Sequence, residues 1–144
     1  MRPVQSKFEE EFPMTTHQQI VKAIGAHGMW KSRLQRAIDQ GASDVNITEV
    51  RQDNQCEFGK WLYGAELAAN AKTSPHYEQC RRLHREFHLA ASKVLTLAIG
   101  NKKTEATHAM SPDSDFAKVS TALTKAMMDW DKDTTRLGPS PAAS

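Results

Sequence analysis

Apolar side chains recur at intervals of three and four residues in three segments of the chain, and no segment alternates with a period of two. This pattern predicts an all-α fold. The first helix is predicted to begin near Thr15 or Thr16, either of which can cap free backbone amides, and to end at Gly41. Its apolar face carries Ile20, Ile24, His27, Leu34 and Ile38, so that a histidine interrupts an otherwise aliphatic stripe.

Two further long helices are predicted in the second half of the chain. One begins with Ser74 as its cap and Pro75 in the first helical position, and it ends at Gly100. Its apolar stripe consists of Tyr77, Cys80, His84, Phe87, Ala91, Val94 and Ala98. Ser111 followed by Pro112 repeats the same start signal and predicts another helix. The apolar face of that helix carries Phe116, Val119, Leu123, Met127 and Trp130.

The region between these helices is predicted to be mostly loop. Residues 41–55 are polar and rich in turn-forming residues, and they precede a segment from Cys56 to Tyr63 that is long enough for about two helical turns. The predicted architecture is therefore four-helix-bundle-like, with an additional short helix that carries Cys56. The predicted domain organisation is a bundle over residues 14–131, an N-terminal tail over residues 1–13 and a disordered C-terminal tail over residues 132–144.

Composition narrows the class of protein. The chain of 144 residues has room for one domain, and its 39% of hydrophobic residues can build a core. A net charge of +2 is too small for a dedicated nucleic-acid binder. No apolar run is long enough for a signal peptide or a membrane span, so a soluble, cytoplasmic protein is expected. In a reducing cytosol the two cysteines are expected to be free or metal-bound.

Four residues form a candidate metal site. His84 and His88 lie one helical turn apart on one face, which lets two imidazoles reach a common ion. His27 and Cys56 complete a set of three imidazoles and one thiolate that suits tetrahedral Zn²⁺. The alternative for each histidine is a core position in which hydrogen bonds satisfy the ring.

Cys80 offers a rival assignment, because it stands one turn before His84. Residues eight apart on a helix are separated by roughly 12 Å along its axis, so Cys80 and His88 cannot bind the same ion. The pairs Cys80–His84 and His84–His88 are therefore alternatives, and the spacing alone leaves both open.

Motifs for catalysis are lacking. The sequence from His84 to His88 differs from a zinc protease helix, because Glu86 stands at the second position after the first histidine and is predicted to point to solvent. A di-iron bundle needs a Glu-x-x-His motif on each of two helices, and the chain does not supply that pair. Nucleophile, phosphate-loop and dinucleotide motifs are also absent, so the protein is predicted not to be an enzyme.

The run Cys56-Glu57-Phe58-Gly59-Lys60-Trp61-Leu62, with one histidine about thirty positions before it and His-x3-His about thirty after it, resembles the chemoreceptor zinc-binding (CZB) domain family. The resemblance covers roughly residues 14 to 131. It implies an α-helical bundle that binds zinc through three histidines and the motif cysteine, which correspond here to His27, His84, His88 and Cys56. It also implies a dimeric regulator that acts with a chemoreceptor or diguanylate cyclase output module.

The residues of this motif also have expected packing roles that do not depend on the resemblance. Gly59 is expected to let the short segment approach a long helix closely, while Phe58 and Trp61 anchor it and so position Cys56. The apolar stripes on three helices offer more packing surface than one small bundle needs. Together with the small residues Gly25, Gly28 and Ser32 on the first helix, they favour a homodimer.

Two functional hypotheses follow, and a third, a hydrolytic zinc enzyme, is disfavoured because four protein ligands leave no open coordination position. In the first, zinc occupancy or oxidation of the zinc-bound thiolate, for example by hypochlorous acid, is sensed and passed to chemotaxis or cyclic-di-GMP signalling. In the alternative, zinc is a structural ion in a dimerisation domain and nothing is sensed. Neither hypothesis involves nucleic acid.

Overall fold

The computed structural model describes residues 14–65, 67, 69 and 71–136, and within these ranges it contains helices and no strand. The prediction of an all-α, bundle-like fold is confirmed. We number the α-helices α1 (Thr16–Gly28), α2 (Trp30–Gln40), α3 (Ile47–Arg51), α4 (Glu57–Tyr63), α5 (Pro75–Ile99), α6 (Lys103–His108) and α7 (Asp115–Arg136), with a 3-10 turn at Ala71–Thr73. The predicted tail over residues 1–13 lies outside the described residues.

The first predicted helix is present but divided. Thr15 is its cap: its side chain accepts from the Gln18 amide, and the Gln18 side chain accepts from the Thr15 amide in return. At Met29 the helix is interrupted, directly after Gly28, so that α1 and α2 are separate elements. The predicted end at Gly41 is confirmed, and Gly41 has the positive φ of 68° that favours glycine at a helix terminus.

Helix α5 is the centre of the bundle. Its predicted bounds are confirmed, because the Ser74 side chain accepts from the His76 amide, Pro75 occupies the first turn and Gly100 caps the end. It packs against α2, α3, α6 and α7, while α1 packs against α7. Every residue of its predicted apolar stripe is buried. The core therefore lies along α5, and His84 and His88 lie within it.

The predicted loop over residues 41–55 contains a helix, so that part of the prediction is wrong. Asn46 caps α3 by accepting from the amides of Thr48 and Glu49. Val50 is 5% exposed, and α3 packs against α5. The helix has five residues, too few for a periodic pattern, so its stability comes from this cap and from packing.

The last helix begins later and ends later than predicted. Ser111 and Pro112 form a turn, and the helix start is set by Ser114, whose hydroxyl accepts from the Ala117 amide. Ahead of it, α6 is a helix that the sequence pattern did not indicate. Helix α7 continues to Arg136, so the prediction of disorder from residue 132 is wrong for residues 132–136. These residues add helical turns to α7, and their backbone hydrogen bonds form within the helix. Residues 137–144 lie outside the described part of the chain.

Candidate metal centre

The structure brings together the four predicted ligand residues from three separate elements. His27 lies on α1, Cys56 caps α4, and His84 and His88 lie one turn apart on α5. One ligand atom from each residue lies within 4.8 Å of every other. His27, His84 and His88 are buried, and Cys56 is half-buried.

The distances between the ligand atoms match the edges of a zinc tetrahedron. His84 Nε2 lies 3.1 Å from His88 Nε2, and Cys56 Sγ lies 3.3 Å and 3.6 Å from these two nitrogens. Zinc bonds of about 2.0–2.1 Å to nitrogen and about 2.3 Å to sulfur place tetrahedral nitrogens about 3.3 Å apart and a nitrogen and sulfur about 3.5 Å apart. The spacing of Cys56, His84 and His88 therefore fits a zinc ion, and His27, within 4.8 Å of them, completes the donor chemistry.

Two of the histidine rings are oriented by backbone carbonyls. His27 Nδ1 donates to the carbonyl of Ala23 and His88 Nδ1 donates to the carbonyl of Val50, each at 2.8 Å. A carbonyl only accepts, so each ring carries its proton on Nδ1 and directs the Nε2 lone pair to the centre. Such outer partners raise the affinity of a histidine for metal.

His84 lacks a partner of this kind. Its side chain is 0% exposed, and its Nδ1 has no hydrogen-bond partner among the described residues. The faces of its ring are covered by other rings, with Phe58 at 5.1 Å and His27 at 4.8 Å between ring centroids. His84 is therefore held by packing and by its Nε2 contacts alone.

Burial keeps the three imidazoles neutral. Desolvation lowers the pKa of His27 to about 4 and that of His84 to about 2, and it also lowers the pKa of His88. A neutral imidazole has the free lone pair that a metal ligand needs. The three rings are therefore ready to coordinate metal at neutral pH without losing a proton.

Cys56 lies at the start of a helix, and its sulfur accepts from the Gly59 amide at 3.3 Å. Burial raises the pKa of the Cys56 thiol, while the backbone amides around it oppose that rise. In the metal-free protein the sulfur is therefore a thiol at neutral pH. A bound metal ion would convert it to a thiolate.

Comparison with known proteins gives a family for this part of the chain. Residues 27–95 match the family model described as the chemoreceptor zinc-binding domain, and all four clustered residues lie inside the match. These residues are similar to the CZB domain. No curated protein and no solved structure matches the chain. The description of this family names zinc, and the four clustered residues are a possible zinc site.

The close approach that requires the motif glycine is to the preceding loop and not, as predicted, to a long helix. A β carbon on Gly59 would lie 1.8 Å from the carbonyl oxygen of Asp53, which belongs to the loop before Cys56. The expectation for Phe58 and Trp61 is confirmed, because both are buried and Trp61 packs against Trp130 at 5.6 Å between ring centroids. The glycine thus permits the loop to fold back onto α4.

The remaining candidate residues lie outside the four-residue cluster. Cys80 is completely buried, and burial raises the pKa of its thiol to about 12. It is not part of the group of converging ligand atoms. Glu86 is exposed, as predicted, and forms an ion pair with Arg82 on the same helix face. No helix in the described part of the chain is long and apolar enough to cross a membrane.

The two carbonyl groups that orient His27 and His88 were not predicted from the sequence. The Ala23 carbonyl lies four residues before His27 on the same helix. The position of His27 within a predicted helix could have indicated this carbonyl as a partner for its ring. The Val50 carbonyl lies 38 residues from His88 and belongs to a helix that was predicted to be a loop. Every residue type carries a backbone carbonyl, so the sequence does not show that the Val50 carbonyl is a partner of His88. Only the fold reveals this contact.

Proposed function

We propose that His27, Cys56, His84 and His88 bind one zinc ion per chain. The observation that carries the proposal is the convergence of one nitrogen from each of three histidines and one cysteine sulfur within 4.8 Å of one another. The family match supports the choice of zinc. When bound, the ion supplies a positive charge that holds Cys56 as a thiolate. Its bonds to the four ligands would link α4 to α1 and α5. Four protein ligands leave no open position for substrate, which argues against catalysis.

We infer that the domain is a sensor of zinc or of oxidants. Cys56 supports this, because it is the half-buried member of a set whose histidines are buried. The Cys56 thiolate attacks one oxygen of hydrogen peroxide, so that an S–O bond forms as the O–O bond breaks. The sulfur loses two electrons, and the other oxygen leaves as hydroxide. Hypochlorous acid performs the same two-electron oxidation and ends as chloride. The sulfenate is a weaker ligand than the thiolate, so oxidation favours zinc release.

A structural zinc site is the second candidate. It is favoured by the burial of His27, His84 and His88 and by their packing against Phe58 and Phe87. In that case zinc contributes to folding, and its loss unfolds the bundle as a whole. Selective loosening near Cys56 distinguishes the sensor from the structural site.

The proposed domain extends beyond the family match to residues 14–131. Helix α1 begins before the matched residues and α7 follows them, and both pack into the bundle. His17 on α1 and Asp131 on α7 form a link of 2.6 Å between the two ends of this range. We further propose a cytoplasmic homodimer that acts on a chemoreceptor or diguanylate cyclase output module, in the same chain or in another.

Zinc analysis of ligand variants tests the ligand assignment. Protein purified under reducing conditions is expected to contain about one zinc per chain. His27→Ala, Cys56→Ala, His84→Ala and His88→Ala should each weaken zinc binding at least a hundredfold, since each removes a ligand. Cys80→Ala and His17→Ala are the matched controls and should bind zinc as the unmodified protein does. Retention of zinc by Cys56→Ala with its loss from Cys80→Ala would overturn the assignment.

Oxidation of zinc-loaded protein tests the sensor. Peroxide or hypochlorous acid at low molar excess should release zinc, detected with a chromophoric chelator, and reducing agent should restore binding. The Cys80→Ala variant should release zinc in the same way. Zinc that stays bound while Cys56 is oxidised, or release only on global unfolding, would contradict the sensor and favour the structural site.

A further inference from the structure

A side-chain hydrogen bond fastens the loop before Cys56 to the far end of α4. The hydroxyl of Tyr63, the last residue of α4, donates to the Asp53 carboxylate at 2.5 Å. Asp53 lies three residues before Cys56, and Tyr63 lies seven residues after it. The bond therefore closes a loop of chain that contains the whole of α4 together with the cysteine.

The Tyr63 hydroxyl is also attached to α5 through Arg81. The Arg81 guanidinium donates to the Tyr63 oxygen and forms an ion pair with Glu78, whose Oε1 accepts from Arg81 Nε at 3.1 Å. Two bonds to one carboxylate orient a guanidinium. Arg81 lies three residues before His84 on α5. The connection thus runs from the loop before the cysteine to the helix that carries two of the histidines, and it does not pass through the metal position.

Asp53 is the residue by which this connection grips the loop. It is half-buried, whereas its neighbours are exposed and hydrogen-bond to one another, namely Gln52, Asn54 and Gln55. Burial and the bond to Asp53 raise the pKa of Tyr63, so its hydroxyl keeps at neutral pH the proton that this bond needs. The hydrogen bond between Asp53 and Tyr63 therefore holds the middle of the loop, one short step from the sulfur of Cys56.

We propose that Tyr63 is a positioning residue for Cys56, because its bond to Asp53 determines where the loop places the sulfur and so how tightly the site holds zinc. The proposal rests on the ligand set of the proposed function. A ligand that its surroundings already hold in place binds more tightly, since less conformational freedom is lost on binding. Tyr63 lies at the opposite end of α4 from Cys56 and is not one of the converging residues. It therefore acts through the loop and not on the ion.

Tyr63→Phe tests the proposal, because phenylalanine keeps the ring and removes the hydroxyl. Tyr63 is 42% exposed, so the variant should fold, and its zinc affinity in chelator competition should fall about fivefold through loss of one hydrogen bond to a charged group. Tyr77→Phe is the matched control. It removes a hydroxyl that donates to the Leu62 carbonyl of α4, away from the loop. It should lower stability to denaturant and change zinc affinity less than about twofold. Equal weakening of zinc binding by both variants would overturn the proposal.

A double-mutant cycle distinguishes positioning from a general effect on stability. Once the sulfur is removed, the Tyr63 hydroxyl has no ligand to position. In a Cys56→Ala background, where the three histidines remain, Tyr63→Phe should therefore weaken zinc binding less than about twofold. The same should hold in an Asp53→Ala background, which lacks the acceptor of the hydrogen bond. A fivefold loss that persists in either background would overturn the proposal.

The reactivity of Cys56 in metal-free protein separates this proposal from the ligand assignment. In the Cys80→Ala variant Cys56 is the remaining cysteine of the chain. Adding Tyr63→Phe should increase the rate of its alkylation by iodoacetamide about fivefold, because a loosened loop exposes the sulfur more often. Protein that takes up no zinc would overturn the proposed site, and this rate would still test the role of Tyr63. An unchanged rate in protein that binds one zinc would retain the site and overturn the positioning role.

Discussion

Gly59 lies directly against the carbonyl of Asp53, so close that a β carbon on Gly59 would approach that oxygen to 1.8 Å. The Asp53 carboxylate accepts from the Tyr63 hydroxyl at 2.5 Å, at the other end of α4. The loop that leads into Cys56 is thus folded back along the helix that follows it. The position of the Cys56 sulfur depends on this close approach as well as on its own contacts with the histidines.

The first prediction concerns Gly59→Ala. The added methyl group must displace the backbone of Asp53 or move α4, and we expect the unfolding free energy to fall by about 1–3 kcal/mol. Zinc affinity should fall at least tenfold, because the displacement moves Cys56. Denaturant unfolding and chelator competition measure the two effects.

Gly25→Ala is the matched control for this substitution. Gly25 is also a helical glycine, but a β carbon there would meet nothing within 4 Å. Alanine should leave zinc affinity unchanged and increase stability by up to about 1 kcal/mol. If Gly59→Ala behaves like Gly25→Ala, the close approach to Asp53 has no role in placing the ligand.

The second prediction concerns protons released on zinc binding. Burial raises the pKa of Cys56, so it is a thiol at neutral pH, and lowered pKa values keep the histidines unprotonated. Zinc binding should therefore release about one proton, and affinity should fall about tenfold for each unit of pH decrease between about 8 and 6. Calorimetry in buffers of different ionisation enthalpy measures this number. Release of two or more protons would mean that a histidine is charged before binding.

The third prediction concerns the loss of zinc. The C-terminal end of α4 is held independently of metal, because the Tyr77 hydroxyl donates to the Leu62 carbonyl at 2.9 Å. Chelation should reduce hydrogen-exchange protection across residues 50 to 66, most strongly near Cys56, while most of residues 76 to 98 stays protected. Oxidation of Cys56 should give the same pattern. Loss of protection throughout the bundle would favour the structural zinc site, and no change would contradict both functions.

The fourth prediction concerns a dimer formed through α1. Val21 and Met29 are 49% and 61% exposed on a face that also carries Gly25 and Gly28, where β carbons would meet nothing within 4 Å. Light scattering at tens of micromolar should return twice the mass of the chain. Met29→Glu should shift the protein to monomer by placing a charge in the interface. Leu89→Glu, at an apolar position on α5 that is 38% exposed, should not. A monomer mass for the unmodified protein would contradict the dimer and leave the metal site unaffected.

Features that depend on neighbours along the chain could be predicted from the order of residues alone. The ends of α5 follow from Ser74, Pro75 and Gly100, because capping acts within one helical turn. The pairing of His84 with His88 follows from helix geometry in the same way. Helix α3 escaped prediction because its stability depends on Val50 packing against α5 and not on a pattern within its five residues.

The groups that support the site come together only in the folded protein. The Val50 carbonyl orients His88, the Asp53 carbonyl requires glycine at position 59, and His84 Nδ1 has no partner among the described residues. Two of these involve backbone carbonyls, which every residue type carries, so the identity of the residue contains no signal for them. The lack of a partner for His84 Nδ1 depends on which groups long-range packing places beside that buried ring. Sequence spacing therefore indicates which residues can bind zinc, and the fold determines which of them has an outer partner to stabilise the bound form.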